Sequence, residues 1–352
     1  MSTRRQFLSQ GALLVAGAAL VGCKRAATRE EVLAAIAQDV AMPAIRALSE
    51  VDARLLHAVE ALPTTARASD LGEARKALAA AILAWERAYV FRSGPLVESN
   101  AFLRARFWPV RKSSFHALLA GEGAVDAPAV AALGVDVKGL FALERLFWEQ
   151  VSEPVQGVLF ETRPERARSL ALSLAQDITT HAESAAKLLG GGSRFVRKFA
   201  KGGQQNVALL VTQLVQSVEA IVADRLDRVL GLHKNGRLKP GELLGDFSGL
   251  STQLTCVSLR EIRTLYLGAS DDGLSALVKQ AAPDIDAHLR TLLADALRAT
   301  EAIGAPLERA VLNAAGSIES ARDRVKALEL AFKVELPSAL GVTLSIAAGD
   351  GD

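Results

Sequence analysis

Apolar side chains return every three or four residues along most of this chain. Leu71, Ala74, Leu78, Ile82, Trp85 and Tyr89 fall on one face of a helix. Val207, Leu210, Val211, Leu214, Val218, Ile221, Val222 and Val229 repeat the pattern over a longer stretch. Alanine and leucine abound, and proline and glycine fall between such segments rather than inside them. Strand-like alternation is confined to "GVTLSI", residues 341–346, which reads as an extended strap. The pattern predicts an all-α protein, with helices over residues 29–62, 70–93, 98–120, 127–151, 164–189, 204–231, 251–267, 272–301 and 305–334. Two glycine clusters in "LGGGSRFVRKFAKGGQQN", residues 189–206, bracket a short basic piece. Such punctuation suits a boundary between two helical bundles, 29–189 and 204–348. The basic piece (Arg194, Arg197, Lys198 and Lys201, with Phe195 and Phe199) reads as a solvated linker. Contact with lipid headgroups or an acidic partner is its alternative. A second irregular stretch, "GLHKNGRLKPGELLGDFSG" over residues 231–249, is long for a bundle connection. It reads as a surface excursion, with the border of a cleft as the other reading.

The first residues change the picture of charge and address. "MSTRRQFLSQGALLVAGAALVGC" has a charged start at Arg4 and Arg5 and an apolar run too short to span a bilayer. The arginine pair is similar to a twin-arginine export signal, and "LVGC" to a lipoprotein box with Cys23 as the lipid-bearing residue. Residues 1–22 then form a signal peptide, and the mature protein is held to a membrane through acyl chains on Cys23. This places it in the cell envelope facing the periplasm. Lys24 follows the lipid site, and the absence of an aspartate there leans towards the outer membrane.

Two of the 41 basic residues lie in the signal, leaving 39 against 39 acidic ones. A balanced chain makes no case for nucleic acid. With Cys23 lipidated, Cys256 has no disulfide partner and reads as a small buried hydrophobe.

The chain has no H-E-x-x-H, G-x-S-x-G, phosphate loop or C-x-x-C. Its five histidines, His57, His116, His181, His233 and His288, form no ligand cluster in sequence. His57 and Glu60 share a helix face at i and i+3, a spacing that one accidental match explains.

Several stretches, in order, resemble the imelysins, exported bacterial proteins connected with iron regulation and classed as peptidase-like. They are "AWERAYVFRSGP" from Ala84, "RARFWPVRKS" from Arg104, "KGLFALERLFW" from Lys138, "RTLYLG" from Arg263 and the ending "ELPSALGVTLSIAAGDGD". The resemblance implies a two-lobed helical fold in which both bundles form one domain. It also implies a G-x-H-x-x-E motif, which falls on Gly139 to Glu144 with Phe141 in place of the histidine. Histidine and glutamate at i and i+3 would project from one helix face, as in metal sites built inside bundles. Phenylalanine has no lone pair and can only pack.

Three readings of Glu144 follow. It is a structural remnant paired with a base such as Arg106 or Arg111; or it still binds a metal or small ligand, with Glu98, Glu86 and His116 as candidate partners; or it is solvated. The cofactor is accordingly iron, another divalent metal, or none. The preferred function is a binding module for iron acquisition, taking a metal, a metal complex or a periplasmic or outer-membrane protein partner. A metallopeptidase is the alternative, weakened by Phe141. A metal-free interaction protein in a surface complex is the third.

Overall fold

The computed structural model describes residues 26–93, 97, 99–151, 157–189, 192–232 and 241–344. Arg4, Arg5, Cys23, Glu98 and His233, and the end of the strap beyond residue 344, lie outside them.

The chain is all-α. A helix opens at α1 (Arg29–Ala35) under a reciprocal cap: Thr28 Oγ1 accepts the Glu31 amide at 3.2 Å, and the Glu31 carboxylate accepts the Thr28 amide at 2.8 Å. It runs through a π turn, Ile36–Ala41, into α2 (Met42–Glu60). α3 (Gly72–Tyr89) follows, burying Ala74, Leu78, Ile82 and Trp85 on the face that the periodicity marks, with Leu71 buried just ahead of it.

The expected helix over 98–120 is divided. α4 (Ala101–Ala105) and α5 (Lys112–Ala120) are separated around Pro109, which cannot donate the backbone bond that a continuous helix needs. The expected helix over 127–151 is likewise divided, into α6 (Ala127–Ala131), a 3-10 turn at Val135–Val137 and α7 (Leu140–Trp148). A two-residue antiparallel pairing, β1 (Gln150–Val151) with β2 (Gly157–Val158), precedes α8 (Pro164–Leu189).

The basic piece at 189–206 is structured rather than a plain linker. It folds as α9 (Ser193–Ala200), with Phe195, Phe199 and Ala200 buried and the cations outward. Phe91 meets both phenylalanines edge-on, at centroid distances of 6.3 and 5.4 Å. An aromatic repeat at i and i+4 in a basic run is the signal of an amphipathic helix, and here that face is used in the core.

α10 (Gly203–Ile221) continues through a second π turn, Val222–Asp227. α11 (Ser251–Leu267), α12 (Leu274–Ala281) and α13 (Pro283–Glu301) come next, the last two parted at Pro283 within the expected 272–301 helix. The expected 305–334 helix is α14 (Leu307–Asn313) and α15 (Ala315–Leu340), the latter ending at left-handed Gly341.

α2, α3 and α8 pack side by side, with α7 against α3 and α8. α10, α11, α13 and α15 form a second group. α1 leaves its own neighbours to pack on α9, α10 and α12, and α3 meets α11. The buried apolar side chains from Val32 to Leu340 accordingly form one continuous core. The rods Arg29–Glu60 and Gly203–Asp227 are long and apolar enough to cross a bilayer, but their apolar faces are spent in that core.

Candidate functional site

α7 carries the motif positions. Gly139 precedes it with φ +85° and ψ −168°, a conformation essentially reserved for glycine. A Cβ there would stand 2.6 Å from the carbonyl oxygen of Ala105, so the missing side chain lets α7 start directly against the end of α4. Phe141 is buried, and its ring centre lies 6.0 Å from the Arg106 guanidinium.

Glu144 is 2% exposed and, among the described residues, has no cation in direct contact. Its Oε1 accepts the backbone amide of Ser248 at 3.0 Å and also the Ser248 hydroxyl. Burial, opposed by the Ser248 bonds and reinforced by nearby Asp246, raises its carboxyl to about 7. The solvated reading is therefore wrong for this residue, and the expected base is not its partner. Arg106 pairs with Glu86 instead, and Arg111 with Asp136 at 2.9 Å.

Ser248 belongs to the long irregular stretch, and for residues 241–249 of it the surface-excursion reading fails. Of its described part, Leu243 and Leu244 are buried, Phe247 lies 4.9 Å below the Arg145 guanidinium, and Asp246 accepts the Gly241 amide at 2.6 Å. The loop closes over α7. Its two adjacent leucines and one phenylalanine were the signal in an otherwise polar sequence.

Glu86, on α3, is the opposite kind of carboxylate. It is equally buried, but Oε2 takes two donors from Arg106, while Oε1 takes Arg225 Nη2 at 2.5 Å and the Ser258 hydroxyl. Burial alone would raise its carboxyl; the two guanidiniums outweigh burial and hold it down at about 2. His116 lies elsewhere again, 3.1 Å from Glu149, which also takes Arg145 at 2.7 Å and Lys112 at 3.5 Å.

Glu144, Glu86 and His116 are thus each engaged with different partners and do not come together. Among the described residues, no three His, Cys, Asp or Glu side chains gather closely enough to hold a metal ion. His57 and Glu60 are exposed on α2, and Cys256 is a free buried thiol pushed up to about 11 by burial. The residues present do not fit the metal site that the motif implies: the imidazole is a phenyl ring, and the carboxylate is committed to a loop serine.

Beside the Glu86 cluster lies a cavity of about 470 Å³, lined by Arg92, Arg106 and Arg225 together with Tyr89, Phe102 and Trp108. Sequence reasoning marked Arg106 only as a partner for Glu144 and passed over Arg92 and Arg225.

Residues 41–331 match the imelysin family. The chain belongs to the imelysin family. Two solved imelysin-like folds superpose over nearly their whole length. One, from Parabacteroides distasonis ATCC 8503 and described as an iron-regulated protein A precursor, has a TM-score of 0.70 at 18% identity, covering 89% of this chain and 95% of its own. The other, an imelysin-like protein from Psychrobacter arcticum 273-4, has a TM-score of 0.68 at 17% identity, covering 90% and 96%. No curated protein sequence matches. This imelysin therefore keeps the family's helical fold, with phenylalanine where the motif of the resemblance has histidine.

Proposed function

We propose that this imelysin is an exported, lipid-tethered protein that serves iron-related acquisition by binding a complex or a protein partner, and that it is not a hydrolase. The observation that carries the reading is the closure of the motif site: Phe141 offers no lone pair, and Ser248 occupies Glu144 with two hydrogen bonds. A hydrolytic zinc needs about three protein ligands and an open water position, a set for which the described side chains have no cluster. The iron connection draws support from the similarity in fold to the iron-regulated protein A precursor. Envelope location draws support from Arg4, Arg5 and Cys23 in the leading segment.

Metal analysis of the folded protein tests the reading, alongside Glu144→Ala and Phe141→His. The expected result is well below one equivalent of metal in the natural protein, unchanged by Glu144→Ala. One equivalent that disappears in Glu144→Ala would overturn it in favour of direct metal binding. Fractionation tests the tether: Cys23→Ala should leave the membrane fraction, and its retention there would remove the lipid from the account.

A further inference from the structure

The cavity beside Glu86 carries more positive charge than its surroundings answer. Arg92, Arg106 and Arg225 line it, and Arg228 stacks 5.3 Å from the ring centre of Trp108, another lining residue. One carboxylate, Glu86, is shared between Arg106 and Arg225. Asp224, which also lines the cavity, is largely exposed and lies 3.5 Å from Arg228. Four guanidiniums thus face two carboxylates.

Arg92 makes no direct ion pair among the described residues; the carboxylate whose charge reaches it is Glu86, already shared by Arg106 and Arg225. Its Nη1 donates to the Tyr89 carbonyl at 3.3 Å and the Ser217 hydroxyl at 3.4 Å, and its plane lies 4.4 Å from the Tyr89 ring centre. Arg225 is 6% exposed, and its Nη1 has no hydrogen-bond partner. A buried guanidinium donor left unpaired is costly, and a surplus of buried cations more so, unless an anion completes the set. Burial is the main influence that lowers Arg92 from its ordinary value; Tyr89 and Glu86 oppose it, and the Arg106 charge adds to it.

The remaining walls are apolar and flat. Tyr89, Phe102 and Trp108 line the space with the exposed Leu103 at its edge. A volume of about 470 Å³ is the size of a small-molecule site, and planar guanidinium forks grip a carboxylate in two-point fashion. Tyr89 already stacks against Arg92 and Arg106, but a bare inorganic ion would leave the side of the space along Phe102 and Trp108 empty.

We propose that this cavity binds a small organic anion: a carboxylate carried on an apolar, aromatic body. The assignment deepens the binding reading above and rests on it. The carboxylate meets Arg92, with Arg106 and Arg225 adding their charge from the cavity wall, and the body lies along Phe102 and Trp108. Nothing in this arrangement calls for a metal.

Isothermal titration of the full chain, released from membranes in mild detergent, tests the assignment with benzoate, naphthalene-2-carboxylate, their primary amides and inorganic phosphate. At least one of the two carboxylates should bind saturably at one site, and its amide and phosphate at least ten-fold more weakly. Arg92→Met removes a surplus charge without breaking an ion pair, so it should fold with a melting temperature no lower than that of the natural protein, while weakening the carboxylate at least ten-fold. Trp108→Ala should weaken naphthalene-2-carboxylate more than benzoate. Equal binding of the amides would overturn the anion requirement, and phosphate binding as tightly as the carboxylates would overturn the organic class. Carboxylate binding by neither compound, or binding untouched by Arg92→Met, would overturn the site itself. Metal held through Glu144 would sink the function proposed above without altering this titration. A metal-free protein that ignores every anion would sink only the cavity assignment.

Discussion

Two glutamates of this imelysin are almost equally buried and titrate in opposite directions. Glu86 faces two guanidiniums and a hydroxyl and is held at about 2; Glu144 faces one serine and is raised to about 7. Burial is common to both, so the difference lies in the partners. Glu144 titrates near 4.5 when unfolded, and between that value and about 7 the folded protein binds more protons than the unfolded chain. Its contribution therefore favours the fold at low pH and is lost as pH rises towards 7. Asp52, raised to about 7 by burial despite its bonds from Trp85, and Asp246, raised to about 6 by burial, act in the same sense. Stability measured by denaturant should accordingly fall from pH 5 to pH 8. Glu144→Gln keeps an acceptor for Ser248 and removes the charge. Relative to the natural protein it should gain on the order of 2 kcal/mol between those pH values; parallel profiles would show that Glu144 is ionised throughout. Gly139→Ala should cost about 2 kcal/mol or more, because it combines a glycine-only backbone with a Cβ placed against the Ala105 carbonyl. An unchanged midpoint in the same titration would contradict that close approach.

At the scale of elements, periodicity reports what a segment buries but not what it reaches. The faces of α3 and α10 were legible because every third or fourth residue must be apolar to pack. The breaks inside the expected helices at 98–120, 127–151 and 272–301 were less so, since short apolar pieces keep a helical rhythm across a turn. Glu144 was legible as a site position, but Ser248 was not: the two are 104 residues apart and no local pattern links them. Glu86 and Arg225 are 139 apart and equally silent. The loop over α7 and the short α9 both hide in irregular, polar sequence, although each carries apolar side chains at packing positions. Phe199→Ala should consequently destabilise by about 3–5 kcal/mol, as a core phenylalanine does, and a change under 1 kcal/mol would return α9 to the status of a linker. Ser248→Ala should speed amide exchange at residues 241–250 about ten-fold, from the loss of one hydrogen bond to a buried carboxyl. Exchange as slow as in the natural protein would mean that the loop is held by its leucines alone.

Across the whole molecule, the two groups of helices share one core and several polar ties, of which the Glu86 cluster is the most charged. Glu86 and Arg106 come from the first half of the chain, Arg225 and Ser258 from the second. Glu86→Gln would leave two guanidiniums short of a counter-charge and should cost about 3–5 kcal/mol. Because the apolar core is continuous, the natural protein should unfold in one calorimetric transition. Two separated transitions would show that the halves are energetically independent despite the shared core.

The cap at Thr28 has a consequence for reach. α1 is fixed by its reciprocal bonds and packs on α9, α10 and α12. Under the proposed tether, only residues 24–27 separate the acyl chains on Cys23 from that fixed helix, a leash of about 18 Å at full stretch. The end of the body where α1 meets those helices must then ride close to the bilayer. On the proposed leash the protein would not ferry cargo across the envelope but work as a mooring, and whatever it serves would have to come to it.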